Sequence, residues 1–136
     1  LKDYLYMGLI LKEKEYREQL KSLDLSSFQN KIAAVYCSAD AIIPVWAFML
    51  AASRLQTVCK DVVMGDPQTV AKEIMLQRIH SLNTEELSGK RIVIKGCGDI
   101  PIPPEAYLSL TGKLQPVAQS IMYGEPCSTV PIFKRK

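Results

Sequence analysis

The sequence predicts an α/β fold, a three-layer sandwich in which helices cover both faces of a mostly parallel sheet of about four strands. Two observations lead to this fold class. Short apolar runs alternate along the chain with longer segments of helical periodicity. The first apolar run is also uninterrupted by polar residues, as expected for a strand buried on both faces. For the core of this sheet we predict the strand order 2-1-3, with right-handed crossovers.

Four segments are predicted as strands, at residues 31–36, 61–65, 91–95 and 129–133. The last of them contains Pro131, which has no backbone N–H group to donate to a neighbouring strand. The last strand is therefore expected at an edge of the sheet.

Four segments are predicted as helices, at residues 1–21, 41–58, 67–81 and 104–122. Pro44 is tolerated in the first turn of the second helix, and Asp66 followed by Pro67 predicts the start of the third. Pro116 crowds the carbonyl group of Gly112, four residues earlier, and predicts a kink or a break in the fourth helix.

The composition indicates one folded domain over residues 1–136 and excludes several classes of protein. The chain is 48% hydrophobic and 23% charged, which is ordinary for a folded domain and argues against disorder. Its net charge of +3 is carried by the last three residues, and it shows no basic face with stacking aromatic residues, so we expect no nucleic-acid binding. We also expect no membrane insertion, because no apolar stretch approaches the ~20 residues that span a bilayer.

The cysteine content favours a cytoplasmic protein. Four cysteines in 136 residues are too few for a secreted disulfide scaffold. The chain starts at Leu1, so we expect an N-terminal segment ahead of it, and a signal peptide in that segment is not excluded.

The first half of the predicted first helix is apolar on every side, which is unusual for an exposed helix. Residues ahead of Leu1 would explain this pattern if they cover the helix, and a subunit interface would explain it equally. We predict a homodimer on this ground.

Cys37 and Cys97 form the sharpest candidate site. Each follows a predicted strand and precedes a helix, where the helix dipole favours a thiolate. The strand order 2-1-3 would bring both to the switch point beyond the carboxyl ends of the strands, where such sheets bind ligands. We predict a cofactor-binding site made of these two cysteines with Asp40 and Asp99, which lie close behind them in the sequence. The alternative is that the cysteines are small buried apolar residues.

Cys127 decides whether this site has enough ligands for a metal. A short link from the fourth helix into a parallel last strand, which the sequence favours, would place it at the opposite edge of the sheet. An antiparallel last strand would return it to the crevice, where Cys37, Cys97 and Cys127 could hold zinc or an iron–sulfur cluster. No CxxC or HxxxH spacing supports a metal, and Cys59 is expected to be inert.

Three stretches of the sequence resemble a known bacterial family: CSADAIIP at 37–44, IKGC at 94–97 and GEPCSTVP at 124–131. The chain is similar to the domain-of-unknown-function 2480 family over nearly its whole length. The resemblance brings no established activity. It implies an association with iron–sulfur cluster assembly proteins, because members are often encoded near such components.

Taken together, the sequence predicts an accessory protein that binds a metal or a cluster, rather than an enzyme. Two other functions stay open. Cys97 could serve in thiol redox chemistry or accept sulfur, or the chain could be an interaction domain whose cysteines are structural.

Overall fold

The computed structural model describes residues 1–96, 98–125 and 128–136. The chain divides into two compact units, Leu1–Val70 and Ala71–Lys136. The prediction of one domain over 1–136 stays a prediction, and each unit is described by itself. No helix in the described ranges is both long and apolar enough to cross a membrane.

The described residues form four α-helices and five strands. The helices are α1 (Glu13–Ser22), α2 (Val45–Leu55), α3 (Pro67–His80) and α4 (Pro104–Leu114). The strands are β1 (Ile32–Val35), β2 (Asp61–Met64), β3 (Arg91–Lys95), β4 (Ser120–Glu125) and β5 (Ser128–Lys134). Asp66 begins α3 as predicted, because its carboxylate accepts hydrogen bonds from the Thr69 hydroxyl (2.7 Å) and from the first free amide groups. These hydrogen bonds lower the pKa of Asp66, and the bond from the Thr69 hydroxyl has the largest effect.

The first unit contains a two-stranded parallel sheet of β1 and β2. Ala33 and Val35 point from β1 into a core that α2 closes with Ala51 and Leu55. Alternate β1 residues are buried, so one face of this small sheet is covered by the helix.

A second core joins α1 to α2 around Tyr16. This side chain is completely buried, and its hydroxyl donates a 2.8 Å hydrogen bond to the carbonyl oxygen of Ala47. The Tyr16 ring also contacts Tyr4 and Trp46. Arg54 on α2 also links the two helices, since its guanidinium group donates hydrogen bonds to the carbonyl oxygens of Leu20 and Lys21 at the end of α1.

The second unit contains a three-stranded sheet in the order β3-β4-β5. The strands β3 and β4 are parallel, and β5 returns antiparallel to β4 with an irregularity in register between Ile121 and Met122. Ile121 is completely buried against Leu114 and Ala118. Arg135, just beyond β5, donates to three carbonyl oxygens that follow α4: those of Gln115, Pro116 and Ala118.

The predicted fold class is therefore wrong in its sheet. The five strands form a two-stranded parallel sheet and a three-stranded mixed sheet, not one mostly parallel sheet of four strands in the order 2-1-3. The cause lies in residues 120–125, because the sequence extended the fourth helix to residue 122 and predicted no strand there. The helix ends at Leu114, before Pro116, and the residues after it form β4, which takes the position beside β3 that was predicted for β1.

The predicted first helix is also wrong over its first half. Met7 and Gly8 both have positive φ values, 52° and 70°, and the chain reverses there so that Tyr6 pairs with Ile10. A helix does not continue through two such residues, and α1 begins only at Glu13. The apolar residues of this segment lie in a turn, where Met7 is 78% exposed.

The first test concerns the core of the second unit. Ile121→Ala should lower the free energy of unfolding by about 3 kcal/mol, because it removes a fully buried side chain and leaves a cavity. Ile132→Ala is the control, since Ile132 is 50% exposed on β5, and it should cost less than about 1 kcal/mol. Urea unfolding measures both values. Equal losses would contradict the described register of β4 and β5.

The second test concerns Tyr16. Burial, and secondarily the neighbouring Tyr4, raises its pKa from 10.0 to about 12. The folded state therefore keeps this proton more tightly than the unfolded state. The resulting stability is fully present below pH 10 and is lost as pH rises from 10 to about 12, by roughly 2–3 kcal/mol. Tyr16→Phe should flatten this part of the stability profile, and Tyr6→Phe, at a half-exposed tyrosine, should leave it unchanged.

Candidate functional site

The candidate site lies at the carboxyl edge of the three-stranded sheet. Because β3 and β4 are parallel, both strands end at this edge, and Lys95 lies opposite Gly124. Glu125, the last residue of β4, is the register partner of Ser128, the first residue of the antiparallel strand β5. Two separate parts of the sequence, around residues 96 and 126, thus leave described strands at one edge.

Two glycines and two tyrosines pack closely at this edge. A Cβ atom on Gly96 would overlap the hydroxyl group of Tyr107 from α4, and one on Gly124 would lie 2.7 Å from Cγ1 of Val93. The Tyr107 ring meets the Tyr123 ring edge-on, at 5.9 Å between centroids. The first turns of α4 therefore pack against the end of β3, and a side chain at residue 96 would displace the Tyr107 side chain.

One positively charged side chain, Lys95, lies at this edge. Cγ and Cε of Lys95 would lie 3.6 and 3.8 Å from a Cβ atom on Gly124, so the lysine side chain runs across that residue. The amino-terminal end of α4 adds the positive pole of the helix dipole. Both features favour an anionic group, including a thiolate, over its neutral form.

The negative charge of Glu105 is already paired with another lysine and so is not free to neutralise Lys95. Its carboxylate accepts a 2.7 Å hydrogen bond from Nζ of Lys72 on α3. This bond, more than the backbone bond that Glu105 also accepts, lowers the pKa of the carboxyl group. The pair is exposed and contributes little to stability, but it ties the first turn of α4 to α3.

Cys97 and Cys127, the two predicted ligands in this part of the chain, lie outside the described residues. The described residues next to them in the sequence, Gly96 and Ser128, belong to the edge just defined: Gly96 follows β3, and Ser128 begins β5. Asp99, the predicted partner of Cys97, is exposed. The last strand runs antiparallel to its neighbour, so the parallel direction favoured by the sequence is wrong.

Cys37 lies in the first unit and carries a half-buried free thiol. It lines a cleft of about 390 Å³ beyond the carboxyl ends of β1 and β2, together with Phe48 and Met64. Asp40 follows in an exposed loop. Cys37 was predicted beside Cys97 because β1 and β3 were expected to be neighbours in one sheet. These strands belong to different sheets, so strand pairing does not bring the two cysteines together, and a shared site stays a prediction.

Within residues 1–96, 98–125 and 128–136, no group of three or more His, Cys, Asp or Glu side chains is close enough to hold a metal ion. Cys59, expected to be inert, is half-buried beside the core of the first unit.

Sequence reasoning missed Tyr107, Tyr123 and Lys95 as parts of the site. Tyr123 was placed just after the predicted fourth helix (104–122) and not in a strand, so its position beside β3 was not visible. The position of Tyr107 could have been predicted from the sequence. It stands three residues after Pro104, the first residue of α4, and so lies in the first helical turn, which faces the end of the preceding strand.

Comparison with known proteins supports the family resemblance. A family model described as "Protein of unknown function (DUF2480)" matches residues 1–135, essentially the whole chain. The search of curated proteins and the search of solved structures each found no match.

The contact between Gly96 and Tyr107 gives a further test. Gly96→Ala should destabilise the protein by about 1–3 kcal/mol, because the new methyl group overlaps the tyrosine ring. Gly112→Ala is the control. Gly112 lies in the exposed part of α4 with no atom within 4 Å of a new Cβ, and its replacement should stabilise by about 0.5–1 kcal/mol. Thermal unfolding measures both, and a neutral Gly96→Ala would contradict the described edge.

Proposed function

Since this chain belongs to the DUF2480 family, whose description names no activity, we propose its function from its geometry: it is an accessory protein that binds a metal ion or an iron–sulfur cluster through Cys97 and Cys127. The observation that carries the proposal is the register of the three-stranded sheet. Lys95 lies opposite Gly124, and Glu125 lies opposite Ser128. The residues bonded to the two cysteines therefore leave the sheet at the same edge.

Chain connectivity supports the meeting of the two thiols. Cys97 is bonded to Gly96, the residue after β3, and Cys127 is bonded to Ser128, the first residue of β5. Consecutive Cα atoms are about 3.8 Å apart, and neighbouring strands are about 4.8 Å apart. Ligands that share a zinc ion need sulfur atoms within about 4 Å of one another. The segments that carry the cysteines are short enough to satisfy this distance.

The electrostatics of the edge support metal binding as well. A thiol must lose its proton to bind a metal, and Lys95 together with the start of α4 favours that loss. Asp99, two residues after Cys97, offers a carboxylate as a third ligand. A site with two thiolates, one carboxylate and one open position is suited to passing its metal to another protein, because a partner ligand can enter at the open position. We propose iron–sulfur assembly proteins as such partners.

The metal is tested on protein purified anaerobically and without chelator. We expect about one zinc or iron ion per chain by elemental analysis if a single ion is bound, or at least two iron ions per chain together with visible absorption if the iron is in a cluster. Cys97→Ser and Cys127→Ser should each reduce the metal to below about 0.1 ion per chain, because the remaining ligands are too few. Cys59→Ser is the matched control and should keep the metal.

Two results would contradict the proposal: metal-free wild-type protein whose thiols are all reduced, or a Cys97→Ser variant that keeps its metal. Cys37→Ser tests the predicted third thiol separately. If this variant keeps its metal, Cys37 does not belong to the site, and the proposal for Cys97 and Cys127 stands.

The same edge favours a second candidate function, reversible disulfide chemistry. Two thiols at one edge can form a disulfide with release of two protons, while two electrons reduce an oxidant such as oxidised glutathione. This function would be favoured over metal binding by two results together. Metal-free wild-type protein should lose two thiols on treatment with oxidised glutathione, and the Cys127→Ser variant should not. If neither cysteine reacts with an alkylating reagent in the native protein, the interaction-domain alternative is favoured instead.

A further inference from the structure

We propose that the protein binds a small phosphate ester in a cleft at the start of β3 and β4, where Arg91, Ser120 and Lys134 contact the phosphate group. The cleft has a volume of about 340 Å³, and all the residues that line it belong to the second unit. It lies at the opposite end of the parallel pair from Lys95 and Gly124, so this inference does not depend on the thiol site.

Strand pairing places the three polar side chains in one row. Arg91 is the register partner of Ser120, and Ser120 is the register partner of Lys134. Register partners point to the same face of a sheet. Neighbouring strands are about 4.8 Å apart, so about 10 Å separates the backbones of Arg91 and Lys134, and both long side chains can reach an anion above the serine.

The row lies on the face of the sheet that points away from α4. Ile92 and Ile121, the residues that follow Arg91 and Ser120, point into the core with α4. Because successive residues of a strand point to opposite faces, Arg91 and Ser120 point to the other side. The core therefore does not compete for these donors.

Positive charge surrounds the row. The amide group of Gln119 donates a 2.9 Å hydrogen bond to the carbonyl oxygen of Lys90, and the amide group of Arg135 donates one of 2.9 Å to the carbonyl oxygen of Gln119. These bonds bring two more cationic residues beside Arg91 and Lys134. Among the side chains that the structure describes, none of these four cations forms an ion pair with an acidic group. A bound anion would supply the counter-charge.

The three donors fit a phosphate ester better than a carboxylate. A phosphate monoester carries close to two negative charges at pH 7 and has three terminal oxygen atoms. It can therefore accept hydrogen bonds from the Arg91 guanidinium group, the Ser120 hydroxyl group and the Lys134 ammonium group at the same time. A carboxylate has one charge and two oxygen atoms, so it would leave one of the two cations without a counter-charge.

The rest of the cleft indicates the organic part of the ligand. Met122 and Pro131 also line it and offer apolar surface beside the polar row. Its volume of about 340 Å³ is larger than a phosphate group alone requires and lies in the range of small-molecule sites. The expected ligand is therefore a phosphate group attached to a compact aromatic or aliphatic group.

The experiment titrates the isotope-labelled full-length protein with phenyl phosphate, inorganic phosphate and benzoate at a constant low ionic strength, and follows the backbone amide signals by NMR. We expect shifts at Arg91, Ser120 and Lys134, with a dissociation constant of about 1 mM or below for phenyl phosphate. Inorganic phosphate should bind at least about fivefold more weakly, because it makes no apolar contact. Benzoate should also bind at least about fivefold more weakly, because it carries a single charge.

Two variants test the charged donors. Arg91→Gln and Lys134→Gln should each weaken the binding of phenyl phosphate about tenfold, because each removes a charge-assisted hydrogen bond. Arg78→Gln is the matched control. Arg78 is an exposed arginine on α3 that does not line the cleft, and its replacement should change the dissociation constant by less than about twofold.

Because the three replaced residues are exposed, each variant should fold, and circular dichroism checks this. The proposal is overturned if phenyl phosphate at about 20 mM shifts no amide signal of the row, or if Arg91→Gln leaves its binding unchanged. Benzoate that binds as tightly as phenyl phosphate would overturn the phosphate assignment. A single-stranded oligonucleotide that binds through the same residues at least about tenfold more tightly would overturn the assignment to a small ligand.

Discussion

The parallel pairing of β3 with β4 is the constraint on which the second unit depends. It places Ile121 beside Ile92, and both contribute to the core against α4. A shift of one residue would turn Ile121 to the other face of the sheet. The same shift would move Gly124 away from Val93, whose side chain a Cβ atom at residue 124 would crowd. Core packing and the shape of the candidate site are therefore fixed together by a single register.

Local signals in the sequence predict several of the individual elements correctly. The strands expected at 61–65 and 91–95 are observed at Asp61–Met64 and Arg91–Lys95, because short runs of branched apolar residues have a strong preference for extended backbone. Asp66 and Pro67 mark the start of α3 correctly, since a cap acts on amide groups only two or three residues away.

Which strands pair, and whether they run parallel or antiparallel, could not be predicted in the same way, because strand pairing depends on residues that are distant in the sequence. Pro116 shows that a helix must end, but it does not show that residues 120–125 continue as a strand between β3 and β5. The apolar run of β1 would fit beside β3 as well as β4 does, so the sequence alone could not separate one sheet from two. The tyrosines of the candidate site were missed for the same reason, since Tyr123 becomes a neighbour of Tyr107 only after β4 has formed.

The outer strand β5 has a consequence for aggregation. An exposed edge strand offers free backbone groups to any other strand, and long apolar edges are the usual starting points of fibrils. Here Pro131 removes one donor, an irregular register interrupts the regular ladder opposite Met122, and Lys134 ends the strand with a charge. These features discourage strand addition, so the three-stranded sheet can keep an open side without growing into a larger one.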